Sequence, residues 1–206
     1  MTAPGPRPQR ADAARNRQLL IAAAIDVFCE DGLDASVAKI AKRAGVGTGT
    51  LFRNFATKDD LIEAVVEARM TQLDEIGSAA LTEADPLKGF EQFIFAAADL
   101  NAADRGFSQA LHQRVIDRPE LQACKQRAIA TATKVLKRAQ AAGVVRKEIV
   151  AEDLRVLMMS AINQDPELTA ATPNLHHRYL RIMLDGLRPE GASRLPADPV
   201  AAKSSG

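Results

Sequence analysis

Residues 36–58, SVAKIAKRAGVGTGTLFRNFATK, decide the reading of this chain. Val37, Ile40, Ala41 and Ala44 recur at helical spacing, so a short helix with one apolar face is predicted, and Ser36 stands where its hydroxyl caps the first N–H groups. Gly45 ends that helix, because glycine takes the left-handed backbone conformation that reverses the chain, and Val46 gives the turn an apolar plug. Thr48 to Phe55 is predicted as a second helix. Its Leu51, Phe52 and Phe55 lie three to four apart and turn inward, leaving Thr48, Thr50, Arg53 and Asn54 on the outer face. That face has hydrogen-bond donors, one positive charge and no carboxylate, which suits the DNA major groove. A plain helix hairpin with a solvated polar face has the same periodicity, but turn, spacing and charge together favour a helix-turn-helix.

Upstream, Leu20, Ala24, Val27 and Phe28 form the stripe of a first helix over about Ala14 to Glu30, closed by Gly32. Downstream, Thr57 opens a fourth helix and caps N–H groups near Asp60, while Asp59 and Asp60 favour the positive end of the helix dipole. Lys58 opposes that dipole, so a phosphate within its reach explains it better than stability does. The apolar positions Leu61, Ile62, Val65, Val66, Met70 and Leu73 carry this helix to about Ala80. It is too long for the small head alone and is expected to be shared with the rest of the chain.

The stretch from Ile40 to Leu61, IAKRAGVGTGTLFRNFATKDDL, resembles the DNA-binding signature of the TetR family of bacterial transcriptional regulators. Arg15 to Glu30 is similar to that family's first helix, and Asp31 to Ser36 to its link into the turn. Two positions depart from the pattern: Phe52 stands where the family most often has Tyr, whose hydroxyl reaches a DNA phosphate, and Gly47 where it often has a capping Ser. The resemblance and the residues together give a set expected to meet DNA: Ser36, Lys39, Gly47, Thr48, Gly49, Thr50, Phe52, Arg53, Asn54 and Lys58. The resemblance also implies a dimer, an effector cavity in the C-terminal body, and a fourth helix that moves when the effector binds.

With 47% hydrophobic and 26% charged residues the chain can bury a sizeable core, and it has no apolar run of membrane-spanning length. The early arginines have no apolar stretch behind them, so a secretory signal is not expected and the cytoplasm is. The net charge of +1 hides an asymmetry: residues 1–58 hold nine Lys or Arg against five Asp or Glu, and residues 59–206 eighteen against twenty-one. An anionic partner is therefore expected for the N-terminal part alone. Cys29 and Cys124 each sit in a helical pattern without a second ligand at metal spacing, so they read as small apolar residues, and neither a metal nor a cofactor is expected.

The predicted organisation is all-α: an unstructured arm over 1–12, a helix-turn-helix domain over 13–58, a helical ligand-binding and dimerisation domain over 59–188, and an unstructured tail over 189–206. In the body, helices are predicted at about 86–103, 104–116, 119–142, 151–164 and 174–187, with prolines at or beside the breaks. Phe90, Phe93, Ile94, Phe107, Leu111, His112, Val115, Met158 and Met159 are the material for an apolar effector cavity; at any one of these positions, core packing is the competing reading. The last two helices carry wide apolar stripes through Leu154, Leu157, Ala161, Leu175, Tyr179, Ile182 and Met183, expected to pair with a second copy; burial in the monomer core is the alternative. Catalysis has little support, because no phosphate loop, nucleophile with an adjacent base or metal-spaced His cluster is found. The expected function is a dimeric DNA-binding repressor released from a palindromic operator by a small apolar or amphipathic effector. The alternative is a helix-turn-helix regulator whose body binds a protein.

Overall fold

The computed structural model describes residues 7–103, 119–190 and 192–195. The helix expected at 104–116, with Phe107, Leu111, His112 and Val115, lies outside them. The described residues form nine helices and no strand: α1 Arg7–Asp31, α2 Val37–Arg43, α3 Thr48–Asn54, α4 Lys58–Thr82, α5 Pro86–Ala103, α6 Pro119–Ala141, α7 Ala151–Ile162, α8 Pro166–Ala171 and α9 Leu175–Gly186. The fold class is all-α, as the periodicity predicts.

Two compact units divide the chain. One runs through Arg69 and takes in the start of α6 as far as Gln122; the other runs from Met70 to Ala103 and onward from Ala123. The break thus falls inside α4, about three turns beyond the division expected after Lys58. In the first unit α1, α2 and α3 pack on one another. Leu20, Ala24, Val27 and Phe28 of α1, Ile40 and Ala41 of α2 and Leu51 of α3 are fully buried or nearly so.

The second unit is organised around α5. Its Phe90, Phe93, Ile94, Ala97 and Ala98 recur at helical spacing and share one core with Val135, Leu136 and Ala139 of α6, with Leu154, Met158, Ala161 and Ile162 of α7, and with Leu180 and Leu184 of α9. Close approach is built in at Gly77 of α4, where a Cβ would lie 2.6 Å from Thr131 Cγ2. Arg138 donates to the carbonyls of Ala80, Glu83 and Ala84, satisfying groups that the end of α4 leaves without helical partners.

Several expectations need correction. Arg7 to Asp12 belong to α1 rather than to an unstructured arm, since Pro8 falls in the first turn, where its missing N–H costs nothing. Within the expected tail, the Ser193 carbonyl accepts from the buried Arg146 at 2.7 Å. The six-residue α8, capped by Asp165, has too short a pattern to stand out in the sequence. In α7, Leu154 and Ala161 are core residues of the subunit, not surface residues available to a partner. They turn toward α5, and the faces that α7 and α9 leave outward carry Val156 (50% exposed), Leu157 (37%) and Ile182 (59%). Leu175, Tyr179 and Met183 are half-buried.

Candidate nucleic-acid interface

The helix-turn-helix is set by local hydrogen bonds. The Ser36 hydroxyl accepts from the Lys39 N–H at 3.2 Å, capping α2. At the other end Gly45 has φ +70, its N–H reaches the Lys42 carbonyl at 3.1 Å, and the Val46 N–H reaches the Ala41 carbonyl at 3.0 Å. This pair of bonds is the Schellman ending, and only glycine takes that φ without strain. α3 starts at Gly47, which has extended backbone and no side-chain cap. A reciprocal box opens α4: the Asp60 N–H donates to Thr57 Oγ1 at 3.1 Å and the Thr57 N–H to Asp60 Oδ2 at 2.9 Å.

On α3, Leu51 and Phe55 point inward, and Arg17 of α1 lies over the Phe55 ring, 5.1 Å from its centroid. Phe52 does not join them. It is 49% exposed, contrary to the inward orientation expected, because α1 and α2 flank a seven-residue helix that has room to bury only the Leu51–Phe55 line. Thr48, Gly49 and Arg53 are exposed and Thr50 is half-buried. Asn54 departs from its expected outward role: it is half-buried, and its Nδ2 donates to the Thr50 carbonyl at 2.8 Å, one turn back in its own helix.

The cations of the head fall into two groups. Lys39 Nζ lies 2.7 Å from Asp31 and 3.3 Å from Glu30, while Arg43 Nη2 reaches both Glu30 oxygens at 2.8 Å. These bonds strap α2 to the end of α1. The Arg43 guanidinium, and after it Lys39, hold the Glu30 carboxyl below the usual glutamate range. Lys39, expected to meet DNA, has its charge offset within the protein. Lys42, Arg53 and Lys58 have no ion pair among the described residues. Lys42 stands outside the set expected from the sequence, and its place in the last turn of α2 is the signal that marks it.

A capped three-helix unit thus carries an exposed α3 face and, on α2 and α4, cations without an ion pair among the described residues, and both halves of the chain match known families. Residues 20–65 match the model of bacterial regulatory proteins of the tetR family, and residues 85–189 that of the SbtR-like transcriptional regulator C-terminal domain. The chain belongs to the TetR family. Among solved TetR structures, the regulatory protein from Mycobacterium vanbaalenii is 33% identical with TM-score 0.66, the match covering 88% of this chain and 99% of that one. The regulator SCO0520 from Streptomyces coelicolor is 32% identical with TM-score 0.64, over 84% and 99%. The HTH-type transcriptional repressor BepR of Brucella suis is 36% identical over 101 residues, 48% of each chain, so the match spans about half of that curated relative. The TetR-family assignment makes the protein a DNA-binding transcriptional regulator. No helix among the described residues is long and apolar enough to cross a membrane.

The effector-cavity expectation fares differently at its described positions. Phe90, Phe93, Ile94 and Met158 are closely packed core residues and Met159 is partly buried against that core, the competing reading for each.

Proposed function

We propose that the protein is a homodimeric repressor that holds a palindromic operator and leaves it when a small apolar or amphipathic effector binds the body. The observation that carries the DNA side of this reading is the exposed surface of Thr48, Gly49 and Arg53 on α3, together with Lys42 of α2 and Lys58 of α4, which have no ion pair among the described residues. In this reading Arg53 and Thr48 meet base edges or nearby phosphates, Ser36, Gly47, Thr50 and Phe52 line the approach, and Lys58 and Lys42 contact phosphates. Lys39 and Asn54 act by fixing α2 and α3. Dimerisation is supported by the apolar side chains left outward on the packed pair α7 and α9, Val156, Leu157 and Ile182, with Tyr179 and Met183 beside them. Two symmetric heads read two half-sites, which a single short helix cannot do with comparable specificity.

Selection of bound sites from random DNA is the deciding experiment. A two-fold symmetric consensus is expected, and Arg53→Ala should blur it while Lys58→Ala weakens binding to every sequence and lowers the salt slope by about 0.9 for the one phosphate lost. Recovery of no enriched sequence, or a consensus without symmetry, would count against the reading. Effector release is checked separately, by screening for small molecules that both raise the melting temperature and dissociate the selected operator.

A further inference from the structure

We propose that Asp99, His176 and His177 form a binding site for one divalent first-row transition metal ion, zinc fitting best. The chain has three histidines, and two of them converge on one carboxylate oxygen. His176 Nε2 lies 2.8 Å and His177 Nε2 2.6 Å from Asp99 Oδ1, and the three ligand atoms all fall within 4.8 Å of one another. Asp99 is 77 residues from His176 in sequence, so packing of α5 against α9 creates the cluster.

The convergence is unusual for neighbours on a helix. Successive helical residues point about 100° apart, so two adjacent imidazoles normally serve different faces. Here the rings lie 4.5 Å apart at 75°, both with Nε2 turned to the same point. The pair lies in the first turn of α9, just after Asn174, whose φ of 57 is the left-handed conformation that Asn tolerates. Packing holds the arrangement: Phe95 meets the His177 ring edge-on at 5.1 Å, Arg181 lies over Phe95, and Arg181 is fixed by Glu91 at 2.7 Å.

Without an ion, each Nε2–H donates to Asp99. An ion takes the place of those two protons, which move to Nδ1 through solvent, leaving neutral imidazoles with their Nε2 lone pairs on the metal. Bonds of about 2.0–2.2 Å place the three ligand atoms roughly 3.3 Å apart, a small opening of the two present N···O distances. Two imidazoles and one carboxylate suit zinc and its neighbours in the first transition row, rather than magnesium or calcium, which favour oxygen, or copper(I), which favours sulfur. His176 is buried, His177 half-buried and Asp99 exposed, so a water can complete the shell from the solvent side. The ion joins the end of α5 to the start of α9 within the body, and the proposal stands apart from the DNA-binding reading of the head.

The test uses the full-length protein without a histidine tag. Cobalt(II) chloride, added to metal-free protein at neutral pH, should give a ligand-field absorption band that saturates at one ion per chain and is displaced by zinc chloride. Zinc should also raise the melting temperature. Asp99→Asn and His177→Ala lie at positions open enough to fold, which melting in metal-free buffer checks. Both should weaken cobalt binding by more than the roughly 10–100-fold that loss of an outer hydrogen-bonding partner costs. Saturable binding at one ion per chain that is lost in both variants supports the site. No saturable band, or binding unchanged in either variant, overturns it and leaves a hydrogen-bonded triad that only joins two helices.

Discussion

The three-helix head and the helical body both bury apolar stripes, but their sequences instruct them differently. In the head, helices are short and each end carries its own signal: Ser36 and the Thr57–Asp60 box at starts, Gly45 at an end. In the body, α7 buries Leu154, Met158, Ala161 and Ile162 on one side and leaves Val156 and Leu157 on another. Its sequence marks a helix without saying which apolar side meets the subunit core. Local chemistry fixes where a helix begins and ends; what it faces depends on elements far away in sequence.

The largest test of this contrast is a matched pair of core truncations. Leu51→Ala in the head and Leu180→Ala in the body each remove a fully buried side chain and should cost about 2–5 kcal/mol in urea denaturation followed by circular dichroism. Operator binding, measured where both variants remain folded, should suffer far more from the first. Equal losses of binding would break the contrast.

A smaller effect is expected from the two matching glycine endings. Gly143 has φ +74 and, like Gly45, closes its helix with paired bonds, from its own N–H to Gln140 and from the Val144 N–H to Ala139. Gly45→Ala and Gly143→Ala should each destabilise by about 1–2 kcal/mol, the cost of placing a side chain in the left-handed region. Only Gly45→Ala should also reduce operator affinity, because it alters the angle between α2 and α3.

Acid should act on the head through Glu30. Hydrogen bonds from Arg43 and Lys39 lower its folded-state pKa below the ordinary value of 4.5. The stability it contributes is therefore present above that value and is lost as pH falls through the lower folded-state value. Glu30→Gln should flatten this part of the acid-denaturation profile; an unchanged profile would show that the strap between α1 and α2 contributes nothing measurable. The smallest difference should separate two lysines one turn apart. Lys42→Ala should lower the salt slope of operator binding by about 0.9, and Lys39→Ala, whose charge Asp31 and Glu30 already offset, by less.

Much of the candidate site was legible in the sequence because its signals act over a few residues. The Ser36 cap, the Gly45 reversal and the Leu51–Phe55 line follow from spacing alone. Phe52 differs from its expected inward orientation for a physical reason: spacing places it beside the buried line but does not say how wide a face α1 and α2 cover. Asn54 is half-buried where spacing puts it outward, because an amide near a helix end can bond its own backbone as readily as turn to solvent.

By itself the sequence determined an all-α chain, the helix-turn-helix and most helix ends, because helical periodicity, caps and glycine conformations are properties of neighbouring residues. Tertiary structure alone decided that Glu30 and Asp31 occupy Lys39 and Arg43 while Lys42 has no ion pair among the described residues, that Leu154 and Ala161 belong to the core, and that Asp99 meets His176 and His177. Each of these depends on which side chains two packed helices bring within bonding distance, and no spacing along the chain carries that information.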